Sequence, residues 1–161
     1  FTIPEAYIGK KGAKIMSLQE PGKKMSKSDT NANATILLLD DTDTIIRKFK
    51  RAVTDSESEV RYAEEKPGIS NLMDIYSAVT GKTYEEIEKE FAGKGYGDFK
   101  LAVGETVADH LKPLQERYEQ LMKDKAYIES MIKQNDEKAA YYANKTLRKV
   151  QKKVGLTERI R

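Results

Sequence analysis

Cysteine is absent from this sequence, which excludes a disulfide scaffold, a thiolate zinc site and a cysteine nucleophile. The single histidine, His110, leaves too few imidazoles for most metal centres, so no metal-binding site is predicted. No apolar run approaches the roughly 18 residues of a membrane span, and the first residues do not resemble a signal peptide. We therefore expect a soluble protein without a membrane segment, and the lack of cysteine is compatible with a cytoplasmic location.

The residues that are present indicate a folded, helix-rich chain. Hydrophobic residues make up 39% and charged residues 34% of the 161 residues, with ten Gly and four Pro. The net charge of +3 argues only weakly for an anionic partner, so the placement of the basic residues must decide. The chain starts at Phe1 without an initiator methionine. We expect it to be a piece or a processed product of a longer protein.

The pattern of the chain changes near residue 40. Residues 1–40 place glycine and proline between short apolar runs, which is typical of loops with a strand or two. Residues 15–18 are predicted to form a short buried strand, followed by a loop over residues 19–33. From residue 41 the apolar residues follow the helical period, so residues 41–161 are predicted to form a helical domain. The predicted fold is mainly α, preceded by a short α/β segment.

Several helix boundaries can be predicted from single residues. Thr42 or Asp43 can cap a first helix, and Pro67 suits the first position of a second one, which ends near Gly81. Thr83, with glutamate three residues later, forms a capping box for a short third helix. The glycine-rich run at residues 93–97 breaks that helix.

The second half of the chain is predicted to contain three further helices. The longest has an apolar stripe from Phe99 to Leu121 and should be kinked by Pro113. His110 falls on this stripe, so a hydrogen-bonded core histidine is favoured over a catalytic one. The last two helices are predicted at about residues 124–134 and 136–154, the latter ended by Gly155.

The segment Lys24-Met25-Ser26-Lys27-Ser28 carries the clearest chemical signal. Its two ammonium groups and two hydroxyls could stabilise the charge that develops on phosphate oxygens as pyrophosphate leaves. For a generic pentamer of this composition, a solvated surface loop would be the better interpretation. A match to one specified pentamer is expected in only about one window per million, which favours the functional interpretation here.

The pentamer is identical to the second signature of class I aminoacyl-tRNA synthetases. Residues 12–18, 52–57, 66–72 and 93–100 resemble the tryptophanyl-tRNA synthetases of that class, so the similarity covers essentially the whole chain. The resemblance implies that residues 1–40 end a Rossmann-like nucleotide-binding domain and that residues 41–161 form a helical anticodon-binding domain.

The resemblance also implies an activity. It implies an ATP-dependent ligase of protein biosynthesis, which converts tryptophan and ATP to tryptophanyl-adenylate and then charges tRNA(Trp). Ile15, Lys24, Met25, Ser26, Lys27 and Ser28 would bind ATP. Lys24 and Lys27 would be catalytic, with Lys27 as the first choice for a transition-state contact. Mg²⁺ would arrive on the ATP rather than at a protein site.

Part of the implied machinery is absent from this sequence. The family's first signature, His-Ile-Gly-His, cannot exist in a chain with one histidine, and the tryptophan-recognising segment of relatives lies upstream. The chain alone is therefore expected to be inactive. Full-length members are homodimers through a surface that lies largely in the missing half. The oligomeric state of this chain is therefore open. The alternatives are a non-catalytic helical tRNA- or RNA-binding module and a purely structural bundle.

Two groups of residues are candidates for contact with tRNA. Lys94, Tyr96 and Lys100 could form a loop that stacks on a base and meets phosphate, but they could equally form a helix connector. Lys145, Lys149 and Lys152 belong to a basic face of the last helix, opposite Leu147 and Val154. A solvated surface is the commoner explanation for such a face.

Overall fold

Five helices carry the fold in the computed structural model, which describes residues 2–9 and 12–156. They are α1 (Thr42–Lys50), α2 (Pro67–Thr80), α3 (Tyr84–Glu90), α4 (Tyr96–Met122) and α5 (Lys125–Lys153). Within those two described ranges no strand is assigned, so the prediction of a mainly α fold is confirmed. None of the described helices is long and apolar enough to cross a membrane.

The helix boundaries follow the local signals closely. The cap predicted at Thr42 or Asp43 is wrong by one or two residues, because Asp41 caps α1 by accepting a hydrogen bond from the Thr44 amide. Pro67 is the first residue of α2, and Gly81 ends it with a left-handed φ of 79°. Thr83 forms the predicted capping box at the start of α3. Because each signal acts within one helical turn, it can be recognised without knowledge of the tertiary structure.

Three other predictions about the fold are wrong. Residues 15–18 form no strand; Met16 makes a single antiparallel bridge to Lys24, because the described chain offers no further strand to pair with. The two helices predicted after residue 124 are one continuous helix, α5, since no proline or glycine interrupts that stretch. His110 is exposed rather than part of the core, because it lies beyond the buried end of the α4 stripe.

The chain divides into two compact units, the first ending at Gln115 and the second beginning at Glu116. The first unit contains residues from both sides of the predicted domain boundary at 40/41, which stays a prediction about the parent protein. Its core draws on the segment before α1 and on α1 to α4, and its largest fully buried apolar side chains are Leu18, Ile45, Phe49, Ile69, Leu72, Met73, Ile87, Phe99 and Val103. Helix α5, in the second unit, has no buried residue.

A close backbone approach fixes the start of α2. A Cβ atom on Gly68 would lie 2.3 Å from the carbonyl oxygen of Val53 and 3.0 Å from the Cα atom of Thr54. The glycine therefore allows α2 to pack directly against the chain that leaves α1. This contact holds α2 against residues 53 and 54, which follow α1. Helix α2 also contacts Met16, in the segment that leads into the pentamer loop.

Candidate functional site

The pentamer lies in a surface loop, with its polar side chains turned to solvent. Lys24, Ser26, Lys27 and Ser28 are exposed, whereas Met25 is half-buried and packs against the core of the first unit. The methionine thus anchors the middle of an otherwise hydrophilic segment. This alternation leaves both lysines accessible while fixing the backbone between them.

The exit of the loop is a turn organised around Ser26. Its carbonyl oxygen accepts hydrogen bonds from the Asp29 amide at 3.1 Å and from the Thr35 hydroxyl at 2.7 Å. Its hydroxyl lies 2.9 Å from the Ser28 hydroxyl and accepts from the Ser28 amide at 3.3 Å. The turn therefore brings the two serine hydroxyls together beside Lys27.

The entry of the loop is held by an asparagine from α2. The Met16 amide donates to Asn71 Oδ1 at 2.8 Å, and Asn71 Nδ2 donates to the Met16 carbonyl at 2.9 Å, so the side chain pairs with the backbone as a neighbouring strand would. Met25 donates its amide to the Ile15 carbonyl at 3.0 Å, which brings Ile15 beside the pentamer. Asn71 is almost fully buried, and sequence analysis did not identify it as a site residue.

The loop lysines differ in how their charges are used. Lys23 forms an ion pair with Glu20 at 2.5 Å, and this hydrogen bond raises the pKa of Lys23. Across residues 2–9 and 12–156, Lys24 and Lys27 form no ion pair. Mobile ammonium groups beside hydroxyls and loop amides are donors that suit a polyphosphate. Lys24 and Lys27, but not Lys23, are therefore available to an anionic ligand.

Tyr96 lies in a buried polar network instead of on the surface. Its side chain is 8% exposed, and its hydroxyl donates to Asp55 Oδ1 at 2.7 Å while accepting from Lys66 Nζ at 2.9 Å. Lys66 is buried as well and forms an ion pair with Glu57. The hydrogen bond to Glu57, followed by that to Tyr96, raises the pKa of Lys66. This network favours the structural interpretation of Tyr96 over base stacking.

The ammonium group of Lys100 is also hydrogen-bonded within the fold. Its ammonium group donates to the Ala52 carbonyl and to the Thr54 hydroxyl, both at 2.9 Å, and burial lowers the pKa of Lys100. Lys94 is exposed, with its Nζ 5.1 Å from the centre of the Phe91 ring. Of the three candidates in this region, Lys94 is exposed, Lys100 is half-buried and Tyr96 is buried.

The basic residues of α5 are exposed along the helix. Lys145, Lys149 and Lys152 are spaced by four and three residues, which places them on one face. The apolar residues Leu147 and Val154, opposite this face, are 51% and 63% exposed, so they are not part of a core in the described chain. The described part of the second unit therefore offers exposed positive charge along one helix.

Comparisons with known proteins agree on one family. Residues 1–112 match the family described as tRNA synthetases class I (W and Y). The chain is 52% identical to the tryptophan–tRNA ligase of Clostridium tetani, over 96% of this chain and 46% of that protein. It is 51% identical to the enzyme of the same name from Clostridium perfringens, over 99% of this chain and 48% of the relative.

Solved structures show the same similarity. The tryptophanyl-tRNA synthetase of Mycoplasma pneumoniae superposes with a TM-score of 0.83 at 29% identity, covering 92% of this chain and 45% of that one. The synthetase of Campylobacter jejuni, solved with ADP and tryptophan, gives a TM-score of 0.66 at 26% identity, covering 97% and 48%. The chain spans about half the length of the relatives it matches.

Proposed function

The chain belongs to the class I tRNA synthetases of the tryptophan and tyrosine group, and from this premise we propose that residues 24–28 bind the triphosphate of ATP in a tryptophan–tRNA ligase. In that enzyme, ATP and tryptophan form tryptophanyl-adenylate with release of pyrophosphate, and the amino acid then passes to tRNA(Trp). The names of the relatives with about 50% identity support this choice of amino acid.

The observation that carries the proposal is the accessible pair of lysines on an anchored loop. Lys24 and Lys27 are exposed and form no ion pair in the described chain. Met25 holds the backbone between them by packing, and the Ser26 turn holds the backbone around Lys27 by hydrogen bonds. A loop held in this way can place charge on a phosphate at small conformational cost. The Campylobacter jejuni relative, solved with ADP, supports an adenine nucleotide as the ligand.

The two lysines of the pentamer have distinct parts in this proposal. Lys27, next to the paired hydroxyls of Ser26 and Ser28, stabilises the charge that develops on pyrophosphate in the transition state. Lys24 neutralises ATP phosphates, and Ile15, joined to Met25 through the backbone, lies toward the adenine end. Mg²⁺ accompanies the ATP, since its preferred partners are phosphate oxygens and water.

We propose that the chain needs the rest of the relatives' length for activity. A His-Ile-Gly-His signature requires two histidines, and the sequence has only His110. By the same analogy the complete enzyme is a cytoplasmic homodimer. The chain alone is expected to lack adenylate formation, because preorganised groups that act together lose most of their effect when one part is missing.

A second proposed contact is between the helices and tRNA. The exposed lysines 145, 149 and 152 and Lys94 are the candidates for the phosphate backbone. Tyr96 and Lys100 are left out of this proposal, because their polar atoms are engaged inside the fold. The same contacts would serve a non-catalytic RNA-binding module. In that alternative, tRNA binding would not depend on ATP.

The proposed function can be tested by restoring the missing half. The chain is mixed with a separately produced N-terminal half of the Clostridium tetani enzyme, and tryptophan-dependent exchange between ATP and pyrophosphate is measured. Exchange should require both halves and should fall by about 10² to 10³ in Lys27→Ala, the range seen when one transition-state donor is removed.

Lys23→Ala is the matched control for this experiment. It removes a neighbouring lysine whose charge is already paired with Glu20, so exchange should stay within about twofold of the unmodified chain. Absence of exchange from halves that demonstrably associate, together with ATP-independent tRNA binding, would support the RNA-binding module instead. Equal losses in both variants would show that Lys27 has no specific role.

A further inference from the structure

A buried lysine of α1 has no part in the chemistry proposed so far. Lys48 is 5% exposed, and its ammonium group lies 2.6 Å from Asp40 Oδ2 and donates to the Thr35 carbonyl at 2.9 Å. A buried charge of this kind persists only where its partners are held in place. The Lys48 ammonium group therefore defines a fixed point near the chain that leaves the loop.

Thr35 connects this fixed point to the pentamer. Its hydroxyl donates to the Ser26 carbonyl at 2.7 Å, while its own carbonyl accepts from Lys48. One residue thus joins the buried ammonium group to the turn that carries Lys27. Met25 packs against the core before the turn, whereas Ser26, Lys27 and Ser28 are exposed. The Thr35 hydroxyl therefore joins the exposed part of the turn to a residue whose carbonyl is held by buried Lys48.

The far end of the connection is also secured. Asp40 Oδ2 accepts from the Leu37 amide at 2.9 Å in addition to pairing with Lys48. Gln115 Nε2 donates to the carbonyls of Asp40 and Leu38, both at 2.9 Å. Asp40, whose carboxylate orients Lys48, is therefore held by the Leu37 amide and by Gln115 of α4.

We propose that Thr35, Lys48 and Asp40 are positioning residues that restrain the exit of the pentamer loop. Through the Thr35 hydroxyl they hold the Ser26 turn, and thereby the direction in which Lys27 leaves the backbone. The importance of this restraint for catalysis rests on the proposed function of the loop. The restraint itself is a property of the described chain and can be measured without nucleotide.

The Asp29 amide gives a local readout, because it shares the Ser26 carbonyl with the Thr35 hydroxyl. In Thr35→Val this turn should open more often, and the Asp29 amide should exchange with solvent about three to ten times faster, as expected for loss of one hydrogen bond. Exchange is measured by NMR on the ¹⁵N-labelled chain. Amides inside α2, such as that of Leu72, should exchange at the rate of the unmodified chain.

Two further threonine variants make the test specific. Thr35→Ser keeps the hydroxyl and should restore slow exchange at Asp29, whereas a role of Thr35 in packing alone predicts no such rescue. Thr30→Val changes an exposed threonine near the loop exit, one whose hydroxyl makes no hydrogen bond in the described chain, and should match the unmodified protein. Unchanged Asp29 exchange in Thr35→Val would overturn the proposal.

Lys48→Met tests the buried part of the connection. It should accelerate Asp29 exchange to a similar extent, while Thr35→Val supplies the answer if this variant does not fold. The restraint and the proposed function are tested separately, by amide exchange in Thr35→Val and by ATP–pyrophosphate exchange of the two mixed halves in Lys27→Ala. Faster Asp29 exchange in Thr35→Val with no effect of Lys27→Ala on pyrophosphate exchange supports the restraint and rejects the proposed function. The opposite pair of results rejects the restraint and keeps the function.

Discussion

Within the first unit, the helical core and the loop of residues 19–34 are built in opposite ways. The core buries Leu72 and Phe99 completely, whereas Ala34 is the single buried residue among residues 19–34. Apolar burial supplies most of the stability of such a unit. The loop is attached through hydrogen bonds at its two ends, so its polar side chains can serve a ligand without weakening the fold.

The lysines show the same contrast within one residue type. Lys48 and Lys66 are buried and have carboxylate partners, while Lys24 and Lys27 are exposed and unpaired across residues 2–9 and 12–156. A buried ammonium group that is paired with a carboxylate stays with its partner, because breaking the pair would leave an uncompensated buried charge. Burial and pairing, rather than the number of basic residues, therefore separate structural lysines from candidate ligand-binding ones.

The largest expected effect on stability comes from emptying the core. Phe99→Ala should lower the free energy of unfolding by about 3–5 kcal/mol, because it leaves a cavity beside Phe91 and Tyr76, whose ring centres lie 4.9 and 5.9 Å from that of Phe99. Urea denaturation measures the change. Leu38→Ala is the control, and its effect should be within about 0.5 kcal/mol because Leu38 is 59% exposed.

An added methyl group at the start of α2 should have the next largest effect. Gly68→Ala should lower the free energy of unfolding by about 1–3 kcal/mol, since its Cβ would overlap the Val53 carbonyl oxygen. Gly97→Ala is matched to it, because Gly97 is the second residue of α4 as Gly68 is of α2, and its Cβ would have no atom within 4 Å. Equal losses in the two variants would refute the close approach.

The buried network should make stability depend on acid. Burial opposes ionisation of Asp55, but hydrogen bonds from Tyr96 and the Glu57 amide hold the pKa of Asp55 below its ordinary 3.8. A depressed pKa in the folded state stabilises the fold above pH 3.8, and this stabilisation is lost as the pH falls through the folded pKa. Urea midpoints between pH 2.5 and 6 should therefore vary less steeply in Asp55→Asn than in the unmodified chain.

An exposed carboxylate provides the comparison for that series. Asp109→Asn changes a solvent-facing residue in the middle of α4 and should leave the pH dependence as it is in the unmodified chain. If Asp55→Asn and the unmodified chain gave parallel curves, the network would contribute nothing to acid sensitivity.

The smallest effect on stability is expected in the loop itself. Replacing Lys24 and Lys27 together by alanine should change the free energy of unfolding by less than about 0.5 kcal/mol, because both side chains are exposed and unpaired within the described residues. The same urea experiment measures it. A loss comparable with that of Phe99→Ala would mean that the loop is part of the core, and the contrast between the two regions would fail.

Sequence analysis predicted best what depends on near neighbours. The caps at Thr83 and Gly81 and the start at Pro67 each act within one turn, and each is present in the structure. The pentamer was also recognised directly, because its residues are consecutive. The predicted interruption between residues 134 and 136 is wrong, because no proline or glycine breaks the helix there.

What could not be predicted depends on residues far apart in the sequence. Asn71 and Met16 are 55 positions apart, so nothing local identifies the asparagine as an anchor of the loop. Tyr96 is an equal candidate for base stacking on sequence alone, because its partners Asp55 and Lys66 lie 41 and 30 positions away. The burial of Lys48 is equally hidden, because lysine is ordinarily a surface residue and its partners precede α1.

The most direct measurement is an ATP titration of the ¹⁵N-labelled chain in its complex with the N-terminal half of a relative, followed by NMR. If residues 24–28 bind the ATP phosphates, the amide signals of Lys24 to Ser28 should shift with ATP, Lys27→Ala should weaken this response, and the signals of Lys145 to Lys152 should stay in place. Shifts confined to α5, or an undiminished response in Lys27→Ala, would contradict the assignment of the loop as the ATP-phosphate site.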